Sequence, residues 1–145
     1  MNPITCSVEI SRRPEEVFAY ISDASRFPEW QEKVVSASVD GDMRRGTRVT
    51  MIRLVGRRRL TFVNEVTDYD PPHSQGFRSI SGAVRPTGAV TIEPLDNGAR
   101  SRLTFKLEIQ GAGLGRLLVP LVRRQARQEV PIAHARLKEL LEQER

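Results

Sequence analysis

The sequence is short of the residues from which many sites are built. Cys6 is the only cysteine among 145 residues, so no disulfide can close within the chain. His73 and His134 are the only histidines, far apart and without a second cysteine, which leaves no zinc set and predicts no metal. Long apolar runs are missing too. The longest, 117–122, is broken by Pro120 and falls far below the ~18 residues a membrane-spanning helix needs. The first ten residues, MNPITCSVEI, lack the basic, apolar and small-residue order of a secretory signal, so the expectation is a cytoplasmic chain. Lys33, Lys106 and Lys138 are the only lysines, and the surplus of 23 basic over 18 acidic residues, a net +5, is carried by arginine. Such a surplus permits contact with phosphate or anionic lipid without demanding it. The arginines fall in scattered groups (Arg12-Arg13, Arg44-Arg45, Arg57 to Arg59, Arg123-Arg124 with Arg127), as expected of solvated turns and helix faces.

What the chain does have is periodicity. Ile4, Cys6, Val8 and Ile10 alternate with polar residues, the period of a strand with one wet face. Pro14 then suits the first position of a helix, with Glu15 and Glu16 at the positive end of its dipole and Val17, Phe18 and Ile21 on one face. A second short helical turn is expected through Phe27, Pro28 and Trp30, with Asp23 and Ser25 capping it. From Lys33 to Gln110 the pattern predicts strands over 34–39, 47–55, 60–69, 75–84, 88–95 and around 103–109. They are separated by Gly41-Asp42, Gly56 with three arginines, Pro71-Pro72 and Asp96-Asn97-Gly98. Turns this short demand antiparallel neighbours. Gly111, Gly113 and Gly115 read as a flexible hinge before a helix over 120–143, about 36 Å long, with a kink expected at Pro131. On that helix Leu118, Leu121, Val122, Gln125, Ala126, Glu129, Ala133, Leu137 and Leu140 gather on one side, and Arg123 and His134 point away. No internal repeat or linker divides the chain, so residues 1–145 are expected to form one domain.

Several short stretches, in order, carry a resemblance. They are the first alternating strand leading into RPEEVFAYISD, then Phe27-Pro28-Glu29-Trp30, Gly46-Thr47-Arg48, Val66-Thr67-Asp68-Tyr69-Asp70-Pro71, Gly98-Ala99-Arg100 and the terminal LKELLE. Together they make the chain similar to the START-like superfamily, in its polyketide cyclase/dehydrase and lipid-transport branch, over essentially its whole length. The resemblance implies an α+β helix-grip fold: a curved seven-stranded antiparallel sheet wrapped round a long C-terminal helix, with two short helices after the first strand. It also implies a cavity between sheet and helix, which family members use for lipids, polyketides, hormones or aromatic substrates.

A sheet bent round one helix must fill its concave side with side chains or leave a hollow. By alternation the concave face should hold Leu60, Phe62, Asn64, Val66, Leu103, Phe105, Leu107 and Ile109, with small Ser79, Ser81, Gly82, Ala83, Gly88 and Ala89 making room. Asn64 is in phase with Phe62 and Val66; its amide is satisfied either by backbone or by a ligand. Gln125 and Glu129 share a helix face with Leu121, which would put them on the cavity. Glu129 either titrates high there through desolvation or turns onto solvent or an arginine. Arg53 is expected to face outward, because the run 51–55 shows no clean phase. Phe27, Trp30 and Tyr20 would close one end of the cavity as portal or core support. The cavity candidates are therefore Asn64, Phe62, Val66, Ser79, Ser81, Phe105, Leu107, Leu121, Gln125, Glu129, Phe27 and Trp30.

No catalytic set accompanies them. The glycine run before the last helix has Arg116 where a dinucleotide loop needs its final glycine, and neither serine sits in a nucleophile elbow. No cofactor is expected. The leading reading is binding or carriage of an apolar small molecule such as a lipid, polyketide, quinone or aromatic compound. One alternative is a cyclase or aromatase that works by shaping a reactive chain. The other is a module that contacts protein, ribosome or nucleic acid, supported by the +5 charge.

Overall fold

Alternating burial along the strands, clearest over 4–10, 62–66 and 84–92, sets one face of a sheet against a helix. The computed structural model describes residues 3–143. Strand β1 (Ile4–Ile10) leads into helix α1 (Pro14–Ser22), a 3-10 turn (Ala24–Arg26) and the single turn α2 (Phe27–Trp30). Strands β2 (Val34–Val39), β3 (Arg48–Val55), β4 (Arg58–Asp70), β5 (Ser74–Ser79), β6 (Val84–Leu95) and β7 (Arg100–Gly111) follow, then helix α3 (Val119–Gln143). The sheet runs β1-β7-β6-β5-β4-β3-β2, antiparallel throughout. This is a curved, seven-stranded helix-grip sheet holding a long C-terminal helix.

Local chemistry explains the entry into α1. Pro14 occupies its first turn with Glu15 and Glu16, and Arg12 and Arg13 both pair with Glu16, holding that carboxyl down to about 2. Asp23 then accepts a hydrogen bond from the Ser25 amide at 3.1 Å and turns the chain toward Trp30. Two apolar clusters fix α3 on the sheet. Leu137 and Leu141 join Ile10, Val17, Phe18, Ile21, Ile92 and Leu103 beneath α1. Val119 and Val130 join Ile4, Val84, Leu107 and Ile109 at the other end.

Three expectations change. The fifth strand stops at Ser79 rather than at residue 84; Gly82, at φ 90, makes the turn, and β6 begins at Val84. Pro86, in the stretch expected to separate the two strands, pairs across from Ile109 in β7 and lies beyond the last β5–β6 rung, Arg78 with Thr87. There β6 has no β5 neighbour to receive a donor, so the missing N–H is tolerated. The glycine run is not a free hinge. Ala112 donates to the Ala83 carbonyl at 2.8 Å, and Gly115 is buried so tightly on Ala83 that a Cβ would collide with its carbonyl. Finally, the inward face of α3 is wider than expected on one side and narrower on the other: Val122, Gln125, Ala126, Glu129, Ala133 and Leu137 face inward as read, but Arg123 and His134 join them and the leucines at its start do not. Val119, Arg123, Val130, His134, Leu137 and Leu141 are its buried residues, while Leu118 and Leu121 are exposed.

Candidate functional site

Between the concave sheet and α3 lies a cavity of about 470 Å³. Val49, Met51, Arg53 and Val55 reach it from β3, and Phe62, Asn64 and Val66 from β4. Leu103, Phe105, Leu107 and Ile109 reach it from β7, and Phe27 and Trp30 close it from α2. From α3 it is bounded by Val122, Gln125, Ala126, Glu129, Val130, Ala133 and His134. Alternation on the strands and steps of three and four on the helix bring these residues to one volume. Gly88 lies behind the lining. A Cβ there would strike the Phe77 ring, so glycine lets that ring lie flat across β6 and face the cavity.

The lining is apolar apart from a few groups, and these are unequally satisfied. Asn64 is buried, and its Oδ1 has no hydrogen-bond partner among the described residues. The same holds for Trp30 Nε1 and Glu129 Oε1. A buried polar atom without a partner costs about 1–3 kcal/mol, so each is an invitation to a ligand or water. The other Glu129 oxygen, Oε2, accepts from the Arg53 guanidinium at 3.2 Å, and Arg53 also donates to Gln31 at 3.1 Å. Burial pushes the Glu129 carboxyl up, opposed by the attraction of Arg53. Gln125 is engaged at both ends of its amide: it donates to the Leu54 carbonyl at 2.7 Å and accepts from the Gly56 amide at 3.0 Å. It therefore latches the β3–β4 hairpin onto α3.

His134, expected to point away, stacks on Phe105 with ring centroids 5.2 Å apart and meets Trp30 edge-on at 5.5 Å. Its Nδ1 sits 2.7 Å from the Val130 carbonyl and donates to it, which leaves Nε2 as an acceptor beside the cavity. Burial pushes its pKa below the usual 6.5. Arg53, expected outward, faces the cavity. Ser79 and Ser81 do not line it, because β5 ends at Ser79, whose hydroxyl donates weakly toward the Val63 and Ser81 carbonyls. Leu121 does not line it either, since α3 turns that side to solvent. Tyr20 is drawn aside by Glu29, to which its hydroxyl donates at 2.8 Å. No group of described residues is arranged to hold a metal ion.

The depressed His134 pKa gives an expected pH dependence. A group depressed in the fold contributes stability that is present above its unfolded value of 6.5 and lost as pH falls through the folded value. The paired carboxylates Glu9, Glu16 and Glu142 act in the same direction only below about 4.5. Thermal melts of the wild type should therefore decline from pH 7 to pH 5 more steeply than melts of His134→Phe, which keeps the ring stack but cannot titrate. Equal slopes would show that His134 is not held neutral.

A family model described as polyketide cyclase / dehydrase and lipid transport matches residues 1–142. The chain belongs to that family. The family's fold is shared by solved structures of low identity. An aromatase/cyclase, Zhui, from a Streptomyces species superposes with a TM-score of 0.79 at 13% identity, covering 97% of this chain and 93% of its own. A START superfamily protein from Mycobacterium smegmatis gives 0.73 at 13% identity, with 99% of each chain covered. A protein from Thermus thermophilus gives 0.74 at 22% identity, with 96% of each covered. No functionally curated protein is significantly similar in sequence. Among the described residues no helix is long and apolar enough to cross a membrane.

Proposed function

We propose that the chain, as a single START-like domain, binds an apolar small molecule of the lipid, polyketide, quinone or aromatic class in the cavity between sheet and α3. The observation that carries this reading is a hollow of about 470 Å³ with apolar walls and three buried polar atoms, on Asn64, Trp30 and Glu129, that have no hydrogen-bond partner among the described residues. That volume lies within the roughly 300–1,000 Å³ of ordinary ligand pockets, whose walls are likewise apolar with a few convergent polar groups. Trp30 is the only tryptophan and borders the cavity, so it reports on occupancy. Titration with a fatty acid, a flavonoid-like aromatic and a quinone should change its fluorescence, and native mass spectrometry should retain the bound species. Ala126→Phe, which places a ring into the hollow from α3, should weaken binding at least about tenfold, roughly 1.4 kcal/mol. Binding that is absent in the wild type, or unaltered by that ring, would rule the cavity out as the site.

A second reading has its own support. Asn64, Gln125 and Glu129 face one cavity rather than solvent, and an aromatase/cyclase shares the fold. Under this reading the cavity orients a polyketide-like chain, and Glu129, raised by burial, supplies or accepts a proton. Glu129→Gln should then slow product formation while leaving ligand affinity nearly unchanged. Affinity and rate falling together would assign Glu129 to binding alone.

A further inference from the structure

We propose that the surface where α3 begins docks on a bilayer containing anionic lipid. Leu114, Leu117, Leu118 and Leu121 follow one another at steps of three, one and three, the i, i+3, i+4, i+7 spacing of one helical face. A 3-10 turn (Gly113–Leu117), the linking Leu118 and the first turn of α3 carry them. That face is turned outward: the four leucines are 85%, 78%, 43% and 51% exposed. An apolar stripe at solvent costs stability and solubility unless something covers it.

Charge says what the cover is. Residues 109–128 contain no Asp or Glu, but Arg116, Arg124 and Arg127 flank the leucines and are exposed. The β3–β4 hairpin tip adds Arg57, Arg58 and Arg59, also exposed, and Gln125 ties that tip to α3 through the Gly56 amide, one turn beyond Leu121. None of these six arginines makes an ion pair among the described residues, whereas Arg13, Arg78, Arg100, Arg102 and Arg136 are each paired with a carboxylate. Leucines ringed by unpaired guanidinium groups match a surface with anionic headgroups above an acyl boundary. Nucleic acid would satisfy the arginines and leave the leucines wet. The cavity lies just beneath, bounded by Val55, Val122 and Ala126.

The test is co-sedimentation with vesicles of phosphatidylcholine alone and of phosphatidylcholine with about one-third phosphatidylglycerol, at low and high salt. The wild type should pellet with the anionic vesicles, and salt should weaken this. Leu114→Ser with Leu117→Ser, at the two most exposed positions, and separately Arg57→Gln with Arg58→Gln and Arg59→Gln, should each reduce binding by about tenfold or more. Both variants change exposed side chains, and an unchanged thermal melt verifies their folding. Equal binding to both vesicle types, or a leucine variant that pellets like the wild type, would overturn the proposal. So would a wild-type dimer that the leucine variant converts to monomer, or retention on RNA without retention on vesicles.

Discussion

Leu137→Ala should lower the unfolding free energy by about 2–5 kcal/mol, the range for emptying a well-packed leucine site. Leu137 is fully buried, and it meets Ile10, Val17, Leu103 and Leu141 where the sheet closes over the second half of α3. The ring and branched side chains around it are held by both β1 and α1, so the site has little freedom to collapse into the void. A melting temperature lower by on the order of 10 °C is expected for a chain of this length. Leu121→Ala is the matched control. It removes the same atoms from the same helix on its exposed side and should cost within about 0.5 kcal/mol. Equal losses in the two variants would contradict the face that α3 presents to the sheet.

That face shows where reading from sequence reached its limit. Strand order and the antiparallel meander were legible because period two runs cleanly through Ile4–Ile10 and Leu103–Ile109 and because turns bear glycine or paired prolines. The inward set Phe62, Asn64, Val66 was legible for the same reason. The helix was legible only in part: Val122, Gln125, Ala126, Glu129, Ala133 and Leu137 face inward as read, but two polar residues, Arg123 and His134, are buried beside them, while leucines at its start are wet. Hydrophobicity alone therefore drew Leu118 and Leu121 into the inward set and left Arg123 and His134 out of it. A signal was present nonetheless: His134 falls four residues after Val130 and three before Leu137. Arg53 had a similar signal. It continues the alternation of Val49 and Met51, but apolar Ile52 and Leu54 on the opposite face hid the phase. The β5–β6 turn was misplaced because Gly82 was read as a small residue within a strand rather than as a turn residue, and a strand's own sequence does not say where its neighbour ends.

The misjudged Arg53 matters because it gives the cavity its internal charge. Ion pairs outside it, such as Arg100 with Glu9 and Asp96, lie in water and contribute little. Arg53 and Glu129 differ from these: their side chains are only 26% and 19% exposed, with Gln31 as a third partner. Desolvation pushes the arginine down and the carboxyl up, and mutual attraction opposes both. Such a pair owes its persistence to its members' need of each other, and a ligand that supplied a polar group to the free Glu129 Oε1 would add to a charge already balanced.

A double-mutant cycle on that pair is therefore expected to be strongly non-additive. Arg53→Met leaves the Glu129 carboxylate buried without its cation and should cost about 1–3 kcal/mol; Glu129→Leu leaves the guanidinium to Gln31 alone and should cost a similar amount. Carrying both changes removes both unpaired charges and replaces them with apolar side chains against Val49, Met51 and Val130. The double variant should be no worse than the milder single one, giving a coupling at least as large as the costlier single loss, about 1–3 kcal/mol. The pH dependence sharpens this. In Arg53→Met nothing comparable to Arg53 opposes the upward push of burial, so the folded Glu129 pKa rises further above its unfolded 4.5. A raised group contributes stability that is present below the unfolded pKa and lost as pH rises through the folded one. The deficit of Arg53→Met should accordingly be larger at pH 8 than at pH 5, while that of Glu129→Leu should not follow this trend. Additive losses, or a deficit of Arg53→Met that is constant across this range, would mean that the two side chains meet in water rather than in the cavity wall.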